Sequence, residues 1–214
     1  VARELLFVRH GQTEWNVQGR LQGRGDSPLT PAGRAQARAH LDWLADLLPD
    51  AIVASPLGRV RATAALIAPT LGLEPSFDDD LRERCMGQFE GWTMDEIGAE
   101  HPQLRRERDA DPWHWRPLDG ENYDDMCERT APLVERLRTA AADRVLVISH
   151  GTVLRPILKQ LLDLDVPTTL AIKSPNHLAY RIVLDSPPAV SHYVGARWHP
   201  GLRFEPLDPA PPRA

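Results

Sequence analysis

The amino-acid sequence predicts an α/β fold, a three-layer sandwich with a mainly parallel central sheet flanked by helices. Three observations carry that expectation. Short apolar runs recur at Leu5-Leu6-Phe7-Val8, Ala51-Ile52-Val53-Ala54 and Val145-Leu146-Val147-Ile148. Each ends in polar or turn-forming residues, and beyond each a stretch with helical periodicity follows. Continuous apolar runs of this length suit strands buried on both faces, as in a parallel sheet covered by helices. Strand–helix alternation of this kind implies right-handed crossovers.

The elements follow in chain order. The strand at Leu5–Val8 leads into Arg9-His10-Gly11. Residues 11–29 hold Gly11, Gly19, Gly23 and Gly25 among Asn, Gln, Ser and Pro, the composition of a long irregular loop of the kind kept for function. Thr30-Pro31 supplies an N-cap followed by proline at the first helical position. With Ala37, Leu41, Leu44 and Leu48 at helical spacing, it predicts a helix over 31–48. After the second strand, Ser55-Pro56 repeats the cap-plus-proline signal before a helix bearing Val60, Ala64, Ile67 and Leu71. Thr93-Met94-Asp95-Glu96 has the form of a capping box, and Met126, Leu133, Val134 and Leu137 mark a helix over about 124–142. The third strand ends at Ser149-His150-Gly151-Thr152, and Val153, Leu154, Ile157, Leu158, Leu161 and Leu162 form one broad apolar helix face after it. Residues 177–184 and 190–198 read as two further strands joined across Ser186-Pro187-Pro188. The chain is read as one domain over 1–199 with a loose, proline-rich tail over 200–214.

Composition sets bounds on function. Across 214 residues, 42% are apolar and 26% charged, enough for a sizeable core and a solvated surface. A formal net charge of −5 argues against a protein built to neutralise nucleic-acid phosphates or an anionic membrane, so any anion site must be local. No run reaches the length of a membrane span and the first residues do not resemble a signal peptide, so a cytoplasmic protein is expected. Cys85 and Cys127 lie far apart with no CxxC, which points to neither a zinc knuckle nor a disulfide framework. Eight histidines are present, yet none forms His-Glu-x-x-His or another compact ligand set, and no metal or cofactor is expected.

The chemistry sits at the strand ends. Arg9-His10 follows the first strand, Ser55 to Arg61 the second, and His150-Gly151 the third. Ends of parallel strands point the same way, so Arg9, His10, Arg59 and His150 converge on one cationic pocket in an acidic protein.

These residues carry a resemblance. Arg9-His10-Gly11-Gln12-Thr13-Glu14-Trp15-Asn16 resembles the Arg-His-Gly signature of the histidine phosphatase superfamily, which contains the phosphoglycerate mutase-like enzymes and their phosphatase relatives. Leu21-Gln22-Gly23, Leu29-Thr30-Pro31-Ala32-Gly33, and Ser55-Pro56-Leu57-Gly58-Arg59 with Thr63-Ala64 are similar to its next motifs, in order. Leu81-Arg82-Glu83 with Gly87 and Glu90-Gly91 resembles its acid loop, Gly120-Glu121 a weaker element, and Ser149-His150-Gly151 its second histidine. The resemblance implies a phosphoglycerate mutase-like fold and a phosphohistidine intermediate on His10.

Elementary chemistry assigns roles to the same residues. A phosphate monoester needs charge neutralisation, in-line positioning and a proton for the leaving oxygen. His10 is the candidate nucleophile, its second ring nitrogen held by a backbone carbonyl. Arg9 and Arg59 each present a planar fork to phosphate oxygens, and His150 adds a further donor. Gly151-Thr152 at a helix start offers backbone N–H groups. Asn16, Gln22 and Gly23 are expected as loop contacts to the substrate, with Arg61 a further contact. Glu83 is the expected general acid, and the bland alternative for it is an ion pair with Arg82 or Arg84. Trp113-His114-Trp115 reads equally as a packing segment or a substrate contact.

The expected activity is hydrolysis of a small phosphorylated metabolite. Phosphoglycerate mutase-type transfer is the alternative, disfavoured because only 37 residues separate Glu83 from Glu121, where the resembled mutases carry a longer insertion. A non-catalytic phosphate-binding module is the other, disfavoured because binding alone requires neither His10 nor Glu83. An edge strand within 177–198 offers pairing in a homodimer.

Overall fold

The parallel core of the sheet is made by the apolar runs, as their composition requires. A computed structural model describes residues 2–204 of the chain. Among the described residues a mixed seven-stranded sheet runs in the order β3-β2-β4-β1-β5-β6-β7, with β1 at Glu4–Arg9, β2 at Ala51–Ala54, β3 at Pro75–Phe77 and β4 at Arg144–Ser149. These four are parallel to one another. β5 (Ala179–Val183), β6 (Ala189–Val194) and β7 (Arg197–Pro200) continue from β1 as an antiparallel meander.

The period-two alternation of the strands divides the core into two layers. Leu5, Phe7, Val145 and Val147 face one way, against α7 (Tyr123–Arg138), α8 (Leu154–Leu162) and Ile172 just beyond α9 (Val166–Ala171). Leu6, Val8, Leu146 and Ile148 face the other way, against α3 (Leu41–Leu47) and α4 (Gly58–Leu71), with α2 (Pro31–Ala39) packed on α4. The short α1 (Glu14–Val17) follows β1, and α5 (Met94–Glu100) and α6 (Pro102–Ala110) surround a satellite cluster of Met86, Phe89, Ile97 and Trp115. No helix among the described residues is long and apolar enough to cross a membrane.

Register fixes where the loops leave the sheet. Val8 and Ala54 both stand opposite Ile148, and Arg9 opposite Ser149. The His10 N–H donates to the Ser149 carbonyl at 2.9 Å and the Ser55 N–H to the Ile148 carbonyl at 3.0 Å. His10, Ser55 and His150 therefore emerge side by side at the carboxyl edge, the place where an open α/β sheet binds its ligand.

Three expectations need correction, and one strand had no sequence signal. The helix over 31–48 is broken at His40, whose ring turns inward, 3% exposed, and accepts the Trp43 indole N–H at 3.2 Å. α7 ends at Arg138 instead of 142, where the Thr139 hydroxyl donates to the Glu135 carbonyl at 2.7 Å and competes with further helix. The strand over 190–198 is two strands, because Gly195 and Ala196 take φ of 59° and 61°, the pair of left-handed residues that a two-residue type I′ hairpin demands. β3, three residues long at the sheet edge, has too little pattern to be read from sequence. Within the stretch read as a tail over 200–214, β7 runs through Pro200 and the Lys173 N–H donates to the Arg203 carbonyl at 2.9 Å. The rest of that tail, 205–214, lies outside the described residues.

Candidate active site

His10 is 1% exposed, and two hydrogen bonds settle its tautomer. Nδ1 lies 2.8 Å from the Gly11 carbonyl, which only accepts, so Nδ1 carries the proton. Nε2 receives the Nε–H of Arg59 at 3.3 Å and so presents a lone pair. Burial, then the charges of Arg9 and Arg59, hold the His10 pKa well below the usual imidazole value, against the opposite pull of the Gly11 carbonyl. The result is a neutral imidazole at neutral pH with its Nε2 lone pair facing a guanidinium.

Arg59 sits in the first turn of α4 with its side chain 1% exposed. One Nη1–H donates to the Gly25 carbonyl at 2.6 Å and the other meets Asp26 Oδ1 at 3.1 Å, while Nη2 donates to the Gly23 carbonyl at 2.8 Å. Three of five N–H groups are thus spent on the loop, and the Nε–H is directed to His10. Gly23 makes this carbonyl available from a left-handed φ of 53°, and a Cβ there would meet Glu90 Oε1 at 2.4 Å.

Arg9 and His150 complete the cluster. Arg9 donates Nη1–H to the Ser174 carbonyl at 2.7 Å, and burial lowers its pKa to about 10, leaving it charged at neutral pH. Its guanidinium lies against Gly151, where a Cβ would come within 3.2 Å of it. The rings of His10 and His150 stand edge to face with centroids 5.2 Å apart. His150 Nε2 is 2.8 Å from Ser55 Oγ, and burial, then Arg59, His10 and Arg9, hold its pKa well below the ordinary value. Arg9 Nε and His150 Nδ1 are buried without a hydrogen-bond partner among the described residues. A buried donor such as the Arg9 Nε–H left unpaired costs about 1–3 kcal/mol, which an anion accepting from it would cancel.

Glu83 approaches from the loop before α5. Oε1 accepts the N–H groups of Arg84 and Val153, both at 2.9 Å, and Oε2 that of Thr152 at 3.0 Å. Ser149 Oγ, donating to the Leu81 carbonyl at 2.8 Å, ties this loop to the end of β4. No ion pair with Arg82 or Arg84 forms among the described residues: Arg82 pairs with Asp79 at 2.8 Å, and Arg84 donates to the Trp115 and Glu121 carbonyls. The N–H groups expected from Gly151-Thr152 as phosphate ligands are taken at Thr152 by Glu83, since an internal carboxylate satisfies the helix start first.

The loop contacts divide. Asn16 caps α1 through its side chain and receives Asn176 Nδ2–H at 3.4 Å. Gln22 is 7% exposed, with Oε1 accepting from Ser27. Arg61, expected as a further contact, donates to the Pro56 carbonyl at 2.7 Å and stacks 3.7 Å over the Phe77 ring, two positions along the helix from Arg59. Trp113 and Trp115 are 3% and 6% exposed, so they are packing residues, Trp113 stacking on Tyr123 at 4.9 Å.

Three participants had no sequence signal. Asn176 donates to the His10 carbonyl at 2.8 Å, and Ser174 receives Arg9, both from an unremarkable loop after α9. Asp26 accepts the N–H groups of Gly58 and Arg59, the latter at 3.0 Å, and so does the capping expected of Ser55, whose hydroxyl instead meets His150.

Known proteins share this arrangement of chain. A family model described as the histidine phosphatase superfamily (branch 1) matches residues 5–191. A glucosyl-3-phosphoglycerate phosphatase of Mycolicibacterium vanbaalenii is 37% identical over 172 residues, 77% of this chain and 76% of that protein. A probable phosphoglycerate mutase GpmB of Salmonella arizonae is 36% identical over 162 residues, 75% of each. The solved structure of a mycobacterial glucosyl-3-phosphoglycerate phosphatase complexed with VO3 superposes with a TM-score of 0.78 at 30% identity, covering 95% of this chain and 99% of that one. With a match running from the first strand into β6 and the two histidines and two arginines gathered at one sheet edge, the chain belongs to the histidine phosphatase superfamily.

Proposed function

We propose that the chain is a metal-independent phosphatase that hydrolyses small phosphate monoesters through a phosphohistidine on His10. The observation that supports it is a neutral His10 whose Nε2 lone pair faces Arg59, beside the buried Arg9 Nε–H and the buried His150 Nδ1, neither of which has a partner among the described residues. In the first step Nε2 attacks phosphorus, the P–O ester bond breaks, and Glu83 gives its proton to the leaving oxygen. In the second, water attacks phosphorus, the P–N bond breaks, and Glu83 takes the proton from water. Arg9, Arg59 and His150 hold the equatorial oxygens as charge redistributes.

Relatives named for hydrolysis of glucosyl-3-phosphoglycerate and for mutase activity both match the chain. They put 3-phosphoglycerate and its glycosides first among the phosphorylated metabolites to screen by kcat/KM. The short stretch between Glu83 and Glu121, with Trp113 and Trp115 turned into the core, favours the hydrolytic outcome over a closed, water-excluding site.

The test is p-nitrophenyl phosphate turnover across about pH 5–8 with and without EDTA. Activity insensitive to EDTA, lost in His10→Ala and slowed at least about 100-fold in Glu83→Gln is expected. Rapid-quench mass spectrometry should find an acid-labile phosphoryl adduct on the His10 peptide. Its absence, together with full turnover by His10→Ala, overturns the mechanism. Conversion of 3-phosphoglycerate to 2-phosphoglycerate without release of phosphate, given a trace of the bisphosphate, establishes the mutase reading instead.

A further inference from the structure

We infer that Asp26 is a positioning residue for phosphoryl transfer: its carboxylate aims the Arg59 fork at the line between His10 Nε2 and phosphorus. The inference rests on Arg59 being a phosphoryl ligand, as argued above.

Asp26 lies in the loop between α1 and α2, far in sequence from α4, yet it holds the start of that helix at three points. One oxygen accepts the Gly58 N–H, and the other accepts both the Arg59 N–H at 3.0 Å and Arg59 Nη1–H at 3.1 Å. Backbone and guanidinium of one residue are therefore locked to a single carboxylate. The neighbouring Gly23 and Gly25 carbonyls take two further N–H groups, at 2.8 Å and 2.6 Å. The edge turned toward the imidazole is the Nε/Nη2 side, whose Nε–H donates to His10 Nε2 at 3.3 Å. A fork fixed on its far side cannot swing, and pre-set direction is what an in-line transition state requires.

The electrostatic argument makes the inference sharp. A carboxylate paired with Arg59 subtracts from the positive field that attracts a phosphate, so Asp26 opposes ground-state anion binding. A site selected only to grip phosphate would be better without it. Its benefit must be geometric, felt where the transferring group lies between leaving oxygen and imidazole. The Asp26 side chain is 38% exposed against 1% for Arg59, so the amide isostere can be tried without burying a new unpaired group deeply.

The experiment compares wild type, Asp26→Asn, Arg59→Ala and the double variant in kcat, KM and inhibition by inorganic phosphate and by orthovanadate. Asp26→Asn should lower kcat about 10- to 100-fold, the scale set by a displacement near 1 Å. Inorganic phosphate should inhibit it at least as well as wild type, while vanadate, shaped like the transition state, should inhibit it less well. In the Arg59→Ala background Asp26→Asn should change kcat by less than about twofold, since residues acting through one another are not additive. The inference is overturned if phosphate inhibition weakens in step with kcat, which marks a general loss of local structure, or if the effects of the two substitutions multiply in full. Where Asp26→Asn does not fold, Asp26→Glu keeps the charge and moves the fork, and must show the same split. Loss of activity in Arg59→Ala with an unaffected Asp26→Asn refutes the positioning role alone. An unaffected Arg59→Ala refutes the phosphate-site reading beneath it.

Discussion

Acidification should destabilise this protein before its carboxylates titrate, and the buried imidazoles are the cause. Burial holds His10, His40 and His150 below the ordinary histidine value, His40 at about 4. An unfolded imidazole titrates near ~6.5, so below that pH the unfolded chain binds protons that the native chain refuses. Stability is therefore full above pH ~6.5 and falls with pH until each folded pKa is reached. For His40 alone, going from pH ~7.5 to ~5 removes about 2 kcal/mol. His10 and His150 act with the same sign, and each neutral imidazole adds up to about 1.4 kcal/mol per pH unit. Half-buried His177, also shifted down, adds in the same direction. The depressed carboxylates Glu4, Asp50 and Glu121 contribute only at lower pH, within and below the usual carboxylate range. Urea unfolding at half-unit pH steps measures the slope, which reports proton uptake on unfolding and should approach about three near pH ~5.5. His40→Asn should remove about one proton from that slope. A slope below one proton at pH ~5.5 refutes the claim that these rings are held neutral.

Three more outcomes follow from particular contacts. Arg61→Ala should leave kcat/KM within about twofold, because its guanidinium rests on Phe77 and Pro56; a loss above about 10-fold would restore it to the site. Gly11→Ala should destabilise by at least about 3 kcal/mol in urea unfolding, since the new Cβ would fall 2.1 Å from the Gly33 carbonyl oxygen, where backbone must move. Thr63 Oγ1 accepts the Gly11 N–H at 3.1 Å and donates to the Arg59 carbonyl at 2.8 Å. Thr63→Val orphans the Gly11 N–H at the same volume and should cost about 1–3 kcal/mol together with a fall in kcat; stability and kcat equal to wild type would deny the bridge any role.

Much of the architecture was legible because buried strands announce themselves. Leu5–Val8 and Val145–Ile148 are apolar at every position, and the two faces that this demands are the two core layers observed. The strand-end rule brings Arg9, His10, Arg59 and His150 together from sequence alone, since parallel register leaves their backbones no other place to go. Short elements escaped. β3 is three residues long, and the β6–β7 turn uses Ala196 in a conformation that alanine gives no warning of.

What the sequence by itself determined was which side chains leave the carboxyl ends of the buried strands, because the local apolar runs mark where those strands stop. What only the tertiary structure decided was how each is aimed. The proton on His10 Nδ1 depends on the Gly11 carbonyl, the free edge of Arg59 on Gly23, Gly25 and Asp26, and the grip on Glu83 on amides of Thr152 and Val153. These partners lie at unrelated distances along the chain and share no periodicity. Hydrogen-bond direction is a property of packed surfaces meeting, and it exists only once they have met.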